Sequence, residues 1–210
     1  MDVHGQFHPT LKLTNSRLRM IYRLWSPVYD LATGWFFAPG RRRAITLISP
    51  KPGERILLSG IGTGADLPLL PDTVSVVGVD LSPEMLVRAD DRGRNVQLVL
   101  GDAQSLPIGD SRFDIVVLNL VLSVVPDGAT CLKEGLRVLR PGGRVLIFDK
   151  FVPDGLPISL GRRLINIFTT LFGTDITHRF GDIIQGKGHL VIHDEPSILG
   201  GVYRIIVLHQ

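Results

Sequence analysis

The chain has 210 residues, of which 44% are hydrophobic and 20% are charged, and its formal net charge is +3. This length and apolar content suffice for one domain whose buried core needs no disulfide or metal. The single cysteine, Cys131, lies in an apolar helical pattern, so we expect a buried thiol in a reducing cytoplasm. The mild basic excess lacks the lysine and arginine runs of nucleic-acid binders, so we expect no nucleic-acid partner.

The N-terminal region predicts two helices and no export signal. Residues 1–12 lack the residue order of a signal peptide, and the chain has no run of about 18 apolar residues that could span a membrane. Residues 15–25 are predicted to form an amphipathic leader helix with Tyr22 and Trp25 on its apolar face. A second helix is predicted at 39–49, before a Pro-Lys-Pro-Gly breaker. We therefore expect a soluble protein, or one that rests on the inner face of a membrane.

The middle of the chain alternates apolar runs with helical patterns. Strands are predicted at 55–59, 74–80, 96–100, 113–118 and 144–151, with helices near 65–70, 83–92 and 128–139. Such alternation is typical of a mostly parallel sheet with right-handed crossovers and helices on both faces.

The rhythm changes after residue 151. An apolar and basic segment, 158–172, is consistent with either a buried helix or a mobile lid over a lipid pocket. Two later strand candidates, 189–193 and 202–208, can close the sheet as an antiparallel pair. We expect one domain over 1–210, with a helical cap at 1–50, a cofactor-binding core at 54–151 and a substrate-side region at 152–210.

A glycine-rich turn follows the first predicted strand. Glycines at this place let the backbone approach a ligand and expose amides at a helix start. Asp80 ends the second strand, where a carboxylate can accept both hydroxyls of an adenosine ribose. This pair fits S-adenosylmethionine (SAM) and NAD equally. The residues of the turn are Gly60, Ile61, Gly62, Thr63 and Gly64.

Two further features separate these cofactors. Asp102 and Ala103 follow the third strand, where a carboxylate can accept the adenine amine beside a small neighbour. A Pro141-Gly142-Gly143 turn then feeds the fifth strand. The ordered set ILLSGIGTG, VVGVDLSPEML, LVLGDAQSLP, SRFDIVVLN and RVLRPGGRVLIF resembles the class I SAM-dependent methyltransferases over about residues 20–150.

Within that superfamily, VYDLATGWFFAPGRRR and GIGTGADLPLLP are most similar to the bacterial phospholipid N-methyltransferases and related quinone-biosynthesis methyltransferases. The resemblance implies an α/β, Rossmann-like fold: a seven-stranded, mostly parallel sheet with a reversed last strand and an N-terminal helical cap. It implies that the glycine turn holds the methionine end of SAM, Asp80 the ribose, and Asp102 with Ala103 the adenine. It further implies that four side chains line the cofactor: Leu81 and Met85 at the adenine, Asn119 beside the methyl group, and Tyr29 folded over the cofactor.

One position departs from the family pattern. Relatives carry an acidic residue two positions before the first loop glycine, near the ammonium of SAM, and this chain has Leu58 there. Losing that carboxylate would weaken SAM binding by about 1 to 3 kcal/mol, or roughly tenfold to a hundredfold.

The sequence offers no clear catalytic base. Methyl transfer from a sulfonium needs mainly alignment and exclusion of water, because the donor is already activated. The loop at 119–126 has no Asn-Pro-Pro-Tyr type motif. Tyr22, Trp25 and Tyr29 can shape an apolar or cation-binding substrate pocket, or be ordinary core contacts.

The remaining candidate residues are explained by structure without a catalytic or metal-binding role. His189 and His193 fall in a predicted strand, where four-residue spacing makes no compact metal pair, so we expect no metal site. The arginines at 41–43 and 162–163 are interpreted as solvated helix surface, with contact to phosphate or lipid headgroups as the alternative.

These observations predict an enzyme that moves a methyl group from SAM to a small or lipid-like acceptor, with a phospholipid amine favoured. Amphipathic basic segments would allow peripheral membrane contact. The alternatives are methylation of a quinone precursor or secondary metabolite, and a non-catalytic SAM-binding protein. An NAD-dependent oxidoreductase is disfavoured by the Pro-Gly-Gly turn and the lack of a Tyr-x-x-x-Lys pair.

Overall fold

The computed structural model describes Thr14 and residues 34–89, 93–152 and 177–210. In this part of the chain a single seven-stranded sheet has the order β3-β2-β1-β4-β5-β7-β6. The first five strands are parallel, and β7 runs antiparallel to both β5 and β6. The predicted mixed sheet with a reversed last strand is therefore confirmed. The strands are β1 (Arg55–Ser59), β2 (Ser75–Asp80), β3 (Val96–Leu100), β4 (Phe113–Asn119), β5 (Leu139–Lys150), β6 (Val191–Pro196) and β7 (Tyr203–His209).

Helices cover both faces of the sheet. Helix α1 (34–48) packs through Ala44, Ile45 and Ile48 on one face, together with Leu58 of β1. Helices α3 (Gly128–Val138) and α4 (Phe180–Ile184) pack on the other face. Because successive strand residues alternate between faces, the continuously apolar runs bury both sides of each central strand.

The crossover between β1 and β2 differs from the prediction. Instead of a helix at 65–70, the structure has a short 3₁₀ helix, Leu67–Leu69. Leu70 is extended, with φ −86° and ψ 148°, as expected before Pro71 because proline disfavours the helical conformation of the preceding residue. Helix α2 (Pro83–Arg88) agrees with the start of the predicted helix, with the Ser82 side chain accepting a hydrogen bond from the Met85 amide at 3.3 Å.

Several strand bounds differ from the prediction, and the largest differences are in β5 and β6. Strand β5 begins at Leu139 rather than 144, because Leu139 pairs with Phe113 before the Pro-Gly-Gly turn bulges out of register. The predicted strand at 189–193 was wrong at its start, since His189 lies in a 3₁₀ helix, Gly188–Leu190, and β6 begins at Val191. Among the described residues, no helix has the length and apolar character needed to cross a bilayer.

Candidate functional site

The glycine turn lies at the carboxyl end of β1. Gly60, Gly62 and Gly64 have φ values of 75°, 57° and 83°, which side chains other than glycine rarely adopt. A Cβ on Gly60 would meet Val121 Cγ2 at 2.8 Å, so packing alone requires glycine there. A Cβ on Gly62 would meet no atom within 4 Å in the described part of the chain. The backbone at Gly62 therefore faces open space that a ligand can enter.

The other two residues of the turn contribute differently. The Ile61 side chain points into the core, where a Cβ on Gly78 would lie 2.3 Å from Ile61 Cδ1. Only the Ile61 backbone is therefore available to a ligand. Thr63 is half-buried beside it.

Asp80 connects the glycine turn to the start of α2. Its Oδ2 accepts a hydrogen bond from the Gly62 amide at 2.8 Å, and its Oδ1 accepts one from the Ser82 amide at 2.9 Å. Burial raises the pKa of Asp80 above its ordinary value, although these backbone donors oppose the shift. Two carboxylate oxygens offer about four acceptor positions, so acceptor capacity remains for a ligand's hydroxyls.

Asp102 follows β3, next to the end of β2 at the same edge of the sheet. Its Oδ1 accepts hydrogen bonds from the amide and the side chain of Gln104, at 2.9 and 3.1 Å. Gln104 in turn accepts the Asp127 amide at 2.9 Å, which ties this loop to the start of α3. The side chain of Ala103 is buried beside Asp102. At α2, Met85 is buried, whereas Leu81 is partly exposed.

Asn119 ends β4 with a buried and unsatisfied side chain. It is 5% exposed, and neither its Oδ1 nor its Nδ2 has a hydrogen-bond partner among the described residues. The next residue, Leu120, has a φ of 58°, a left-handed conformation that costs a non-glycine residue about 1 to 2 kcal/mol. Buried amides without partners are rare, so Asn119 is a candidate for contact with a bound ligand.

A second polar cluster, which the sequence analysis missed, lies at the end of β5. Asp149 is fully buried, and its two oxygens accept the amides of Ser123 and Lys150 at 3.0 and 2.8 Å. The Lys150 Nζ donates to Ser123 Oγ at 2.9 Å and lies 5.9 Å from the centre of the Tyr203 ring. This cluster holds the loop after β4 against β5. The only sequence signal was an Asp-Lys pair at the end of an apolar strand.

Several predicted residues have other surroundings. Tyr22, Trp25, Tyr29 and the segment 158–172 lie outside the described residues. Leu58 is buried in the core beneath α1.

The arginines of α1 are not uniformly solvated, so the interpretation of 41–43 as helix surface was wrong for Arg41. That side chain is 14% exposed and pairs with Asp66 at 2.7 Å. Arg43 donates to both carboxylate oxygens of Glu195, at 2.8 and 2.9 Å. Arg42 and Arg43 both keep the predicted exposed position on α1.

The histidines of the C-terminal part do not form a metal-binding group. His193 bonds Glu195 at 3.0 Å, and His189 belongs to the preceding 3₁₀ helix. No group of three or more histidine, cysteine or acidic side chains arranged for a metal ion occurs within 34–89, 93–152 and 177–210.

The strand order, the glycine turn after β1 and the carboxylates after β2 and β3 define a Rossmann-like class I methyltransferase fold. Residues 57–147 match the family model described as a methyltransferase domain.

Known proteins give the same result. The chain is 30% identical over 191 residues to phosphatidylethanolamine N-methyltransferase of Cereibacter sphaeroides, covering 88% of this chain and 93% of that protein. It is 34% identical over 206 residues to demethylmenaquinone methyltransferase of Beutenbergia cavernae, covering 95% of this chain and 78% of that protein. The geranyl diphosphate C-methyltransferase structure from Streptomyces coelicolor has a TM-score of 0.66 at 16% identity, covering 81% of this chain and 77% of that one. The chain belongs to the SAM-dependent methyltransferases, and SAM is its methyl donor.

Proposed function

We propose that SAM binds across the carboxyl ends of β1, β2, β3 and β4. Three features support this placement: the open space at Gly62, the Asp80 carboxylate with acceptor capacity to spare, and the unsatisfied amide of Asn119. Asp80 would receive the ribose hydroxyls, and Asp102 with Ala103 would receive the adenine. Leu81 and Met85 would line the adenine, and the backbone from Gly60 to Gly64 would follow the methionine end. We also propose that 1–210 form one domain.

SAM supplies a methyl group that is already activated as a sulfonium. The residues of this chain then have to orient the acceptor and exclude water. The buried Asp149, Ser123 and Lys150 cluster would fix the loop after β4, which borders the position of the methyl group. Asp149 is fully buried and its two oxygens hold the amides of Ser123 and Lys150 in place, so we assign this carboxylate a positioning role and not that of a base.

We infer that the acceptor is lipid-like, with the amine of phosphatidylethanolamine favoured. The observation that carries this proposal is the similarity to a phosphatidylethanolamine N-methyltransferase over 93% of that relative's length. The second candidate acceptor is a demethylated quinone, because the similarity to a demethylmenaquinone methyltransferase covers 95% of this chain. Both acceptors dissolve in bilayers, so we propose that the protein acts in lipid metabolism at the cytoplasmic face of a membrane.

The outer face of α1 offers a membrane contact. Trp35 is 85% exposed, and Arg42, two helical turns later, is exposed on the same face. Both side chains line one groove with Pro39 and Thr46. An exposed tryptophan beside an arginine is suited to the interface of an anionic bilayer. Sedimentation with phosphatidylglycerol vesicles should fall for Trp35→Ser, whereas Val87→Ser, which changes the exposed Val87 of α2, should not alter it. Equal sedimentation of both variants would contradict this contact.

The acceptor is tested by product analysis. The protein would be incubated with methyl-labelled SAM and phosphatidylglycerol vesicles that contain either phosphatidylethanolamine or demethylmenaquinone. Mass spectrometry of the extracted lipid should show label on phosphatidylethanolamine. Label on the quinone alone would support the second candidate, and label on neither would refute a lipid-phase acceptor. Asp80→Ala serves as the inactive control.

A further inference from the structure

Asp66 has a buried carboxylate oxygen without a donor. It lies two residues after Gly64 and is 5% exposed. Its Oδ2 accepts a hydrogen bond from Arg41 Nη1 at 2.7 Å, whereas its Oδ1 is buried and has no hydrogen-bond partner among the described residues. The other buried acidic side chain in this part of the chain, Asp149, has donors on both oxygens. Asp66 therefore has capacity for one more charged donor, and native structures rarely leave such capacity unused.

The surroundings place Asp66 beside the proposed cofactor position. Arg41 follows Gly40, which packs against the ring of Phe148, since a Cβ there would lie 2.3 Å from Phe148 Cζ. Phe148 is the register partner of Asn119, whose amide is also unsatisfied. The Arg41 and Asp66 pair thus lies on the α1 side of the sheet, near the strand ends that carry the glycine turn and Asn119.

Because position 58 is a leucine, the strand before the glycine turn has no acidic side chain next to the turn. Leu58 lies on the same face of the sheet as the α1 contacts, is 1% exposed and provides no charge. A carboxylate is the strongest acceptor for the ammonium of an amino-acid group bound beside the glycine turn, and β1 does not supply one. Asp66, two residues after the turn, is the first acidic side chain that follows it in the sequence.

We propose that Asp66 Oδ1 receives the ammonium of SAM, in place of a carboxylate at position 58, and that Arg41 holds the Asp66 side chain in position. This inference rests on the proposed placement of SAM over the glycine turn. It makes Asp66 responsible for recognising the amino-acid end of the cofactor, while Asp80 recognises the adenosine end.

Two ligands separate these roles in calorimetric titrations. S-adenosylhomocysteine contains the amino-acid group, and 5′-methylthioadenosine has the same adenosine without it. Asp66→Asn should weaken S-adenosylhomocysteine by about tenfold to a hundredfold, the scale of one charged hydrogen bond, and leave 5′-methylthioadenosine unchanged. Asp80→Asn should weaken both ligands. Adding Leu58→Glu to Asp66→Asn should restore part of the lost affinity, because it returns a carboxylate to the same region.

Two controls separate the loss of a ligand contact at Asp66 from a general effect on α1 or on folding. Glu195→Gln removes the ion-pair partner of Arg43, which lies on α1 as Arg41 does, and should leave the affinities for both ligands unchanged. If Asp66→Asn fails to fold because Arg41 loses its ion pair with Asp66, the double variant Arg41→Met, Asp66→Asn removes both members of that pair. If Asp66→Asn leaves S-adenosylhomocysteine affinity unchanged, or weakens both ligands equally, the role of Asp66 is overturned but the proposed placement of SAM is not. Failure of the wild-type protein to bind either ligand would overturn the proposed placement of SAM as well.

Discussion

Gly62→Ala should separate the cost of backbone strain from the loss of a ligand contact. Gly62 has a φ of 57°, and a Cβ there meets no described atom within 4 Å. The alanine therefore fits sterically and lowers the free energy of unfolding by about 1 to 2 kcal/mol through its left-handed backbone. Its methyl group would occupy the space assigned to SAM, so S-adenosylhomocysteine affinity should fall at least tenfold, an effect of about 1.4 kcal/mol.

Gly142→Ala is the matched control for this change. Gly142 has a φ of 77°, and a Cβ there would also meet no described atom within 4 Å. It lies in the Pro-Gly-Gly turn, at the end of β5 opposite to Lys150 and to the carboxyl ends of the parallel strands. Denaturant titration should give similar losses of stability for the two variants. Calorimetry should show weaker S-adenosylhomocysteine binding for Gly62→Ala only. Wild-type affinity in a folded Gly62→Ala protein would refute the argument that the cofactor approaches the backbone there.

Two further predictions concern Asp80 and Arg144. Burial raises the pKa of Asp80, and only the ionised carboxylate accepts both ribose hydroxyls, so S-adenosylhomocysteine affinity should fall on acidification at a higher pH than an ordinary aspartate titrates. Calorimetry across pH would contradict this if the affinity did not fall there, or if the Asp80→Asn variant showed the same fall. Arg144 donates to the Ile48 carbonyl at 2.8 Å and pairs with Glu54 at 2.5 Å. Arg144→Met should therefore lower the free energy of unfolding by about 1 to 3 kcal/mol. An unchanged denaturation midpoint would show that these contacts contribute nothing to stability.

The sheet was largely predictable because its central strands are buried on both faces and turn residues mark the strand ends. Apolar runs such as β1 and β3 are bounded by turn residues, and their observed bounds equal the predicted ones. The crossover at 65–70 was not predictable, because its apolar spacing fits a helix while Pro68 and the following Pro71 restrict the chain to a single 3₁₀ turn. The buried Cys131 followed from its place on the apolar face of α3; its burial also raises the pKa of the thiol.

The site was predictable only where its residues form local patterns. The glycine turn and Asp80 can be recognised because their spacing is fixed by one strand, helix and strand unit. The pairing of Arg41 with Asp66 and the burial of Asp149 depend on packing between elements far apart in sequence. An arginine run has the same sequence signal whether it is solvated or buried, so the structure was needed to distinguish Arg41 from Arg42.

A crystal structure of the protein with S-adenosylhomocysteine tests the central claim most directly. The account predicts that the ribose hydroxyls lie within hydrogen-bond distance of Asp80, that the amino-acid chain passes over Gly62, and that the ammonium lies at Asp66. A ligand bound at another edge of the sheet, or one whose ribose does not reach Asp80, would contradict it.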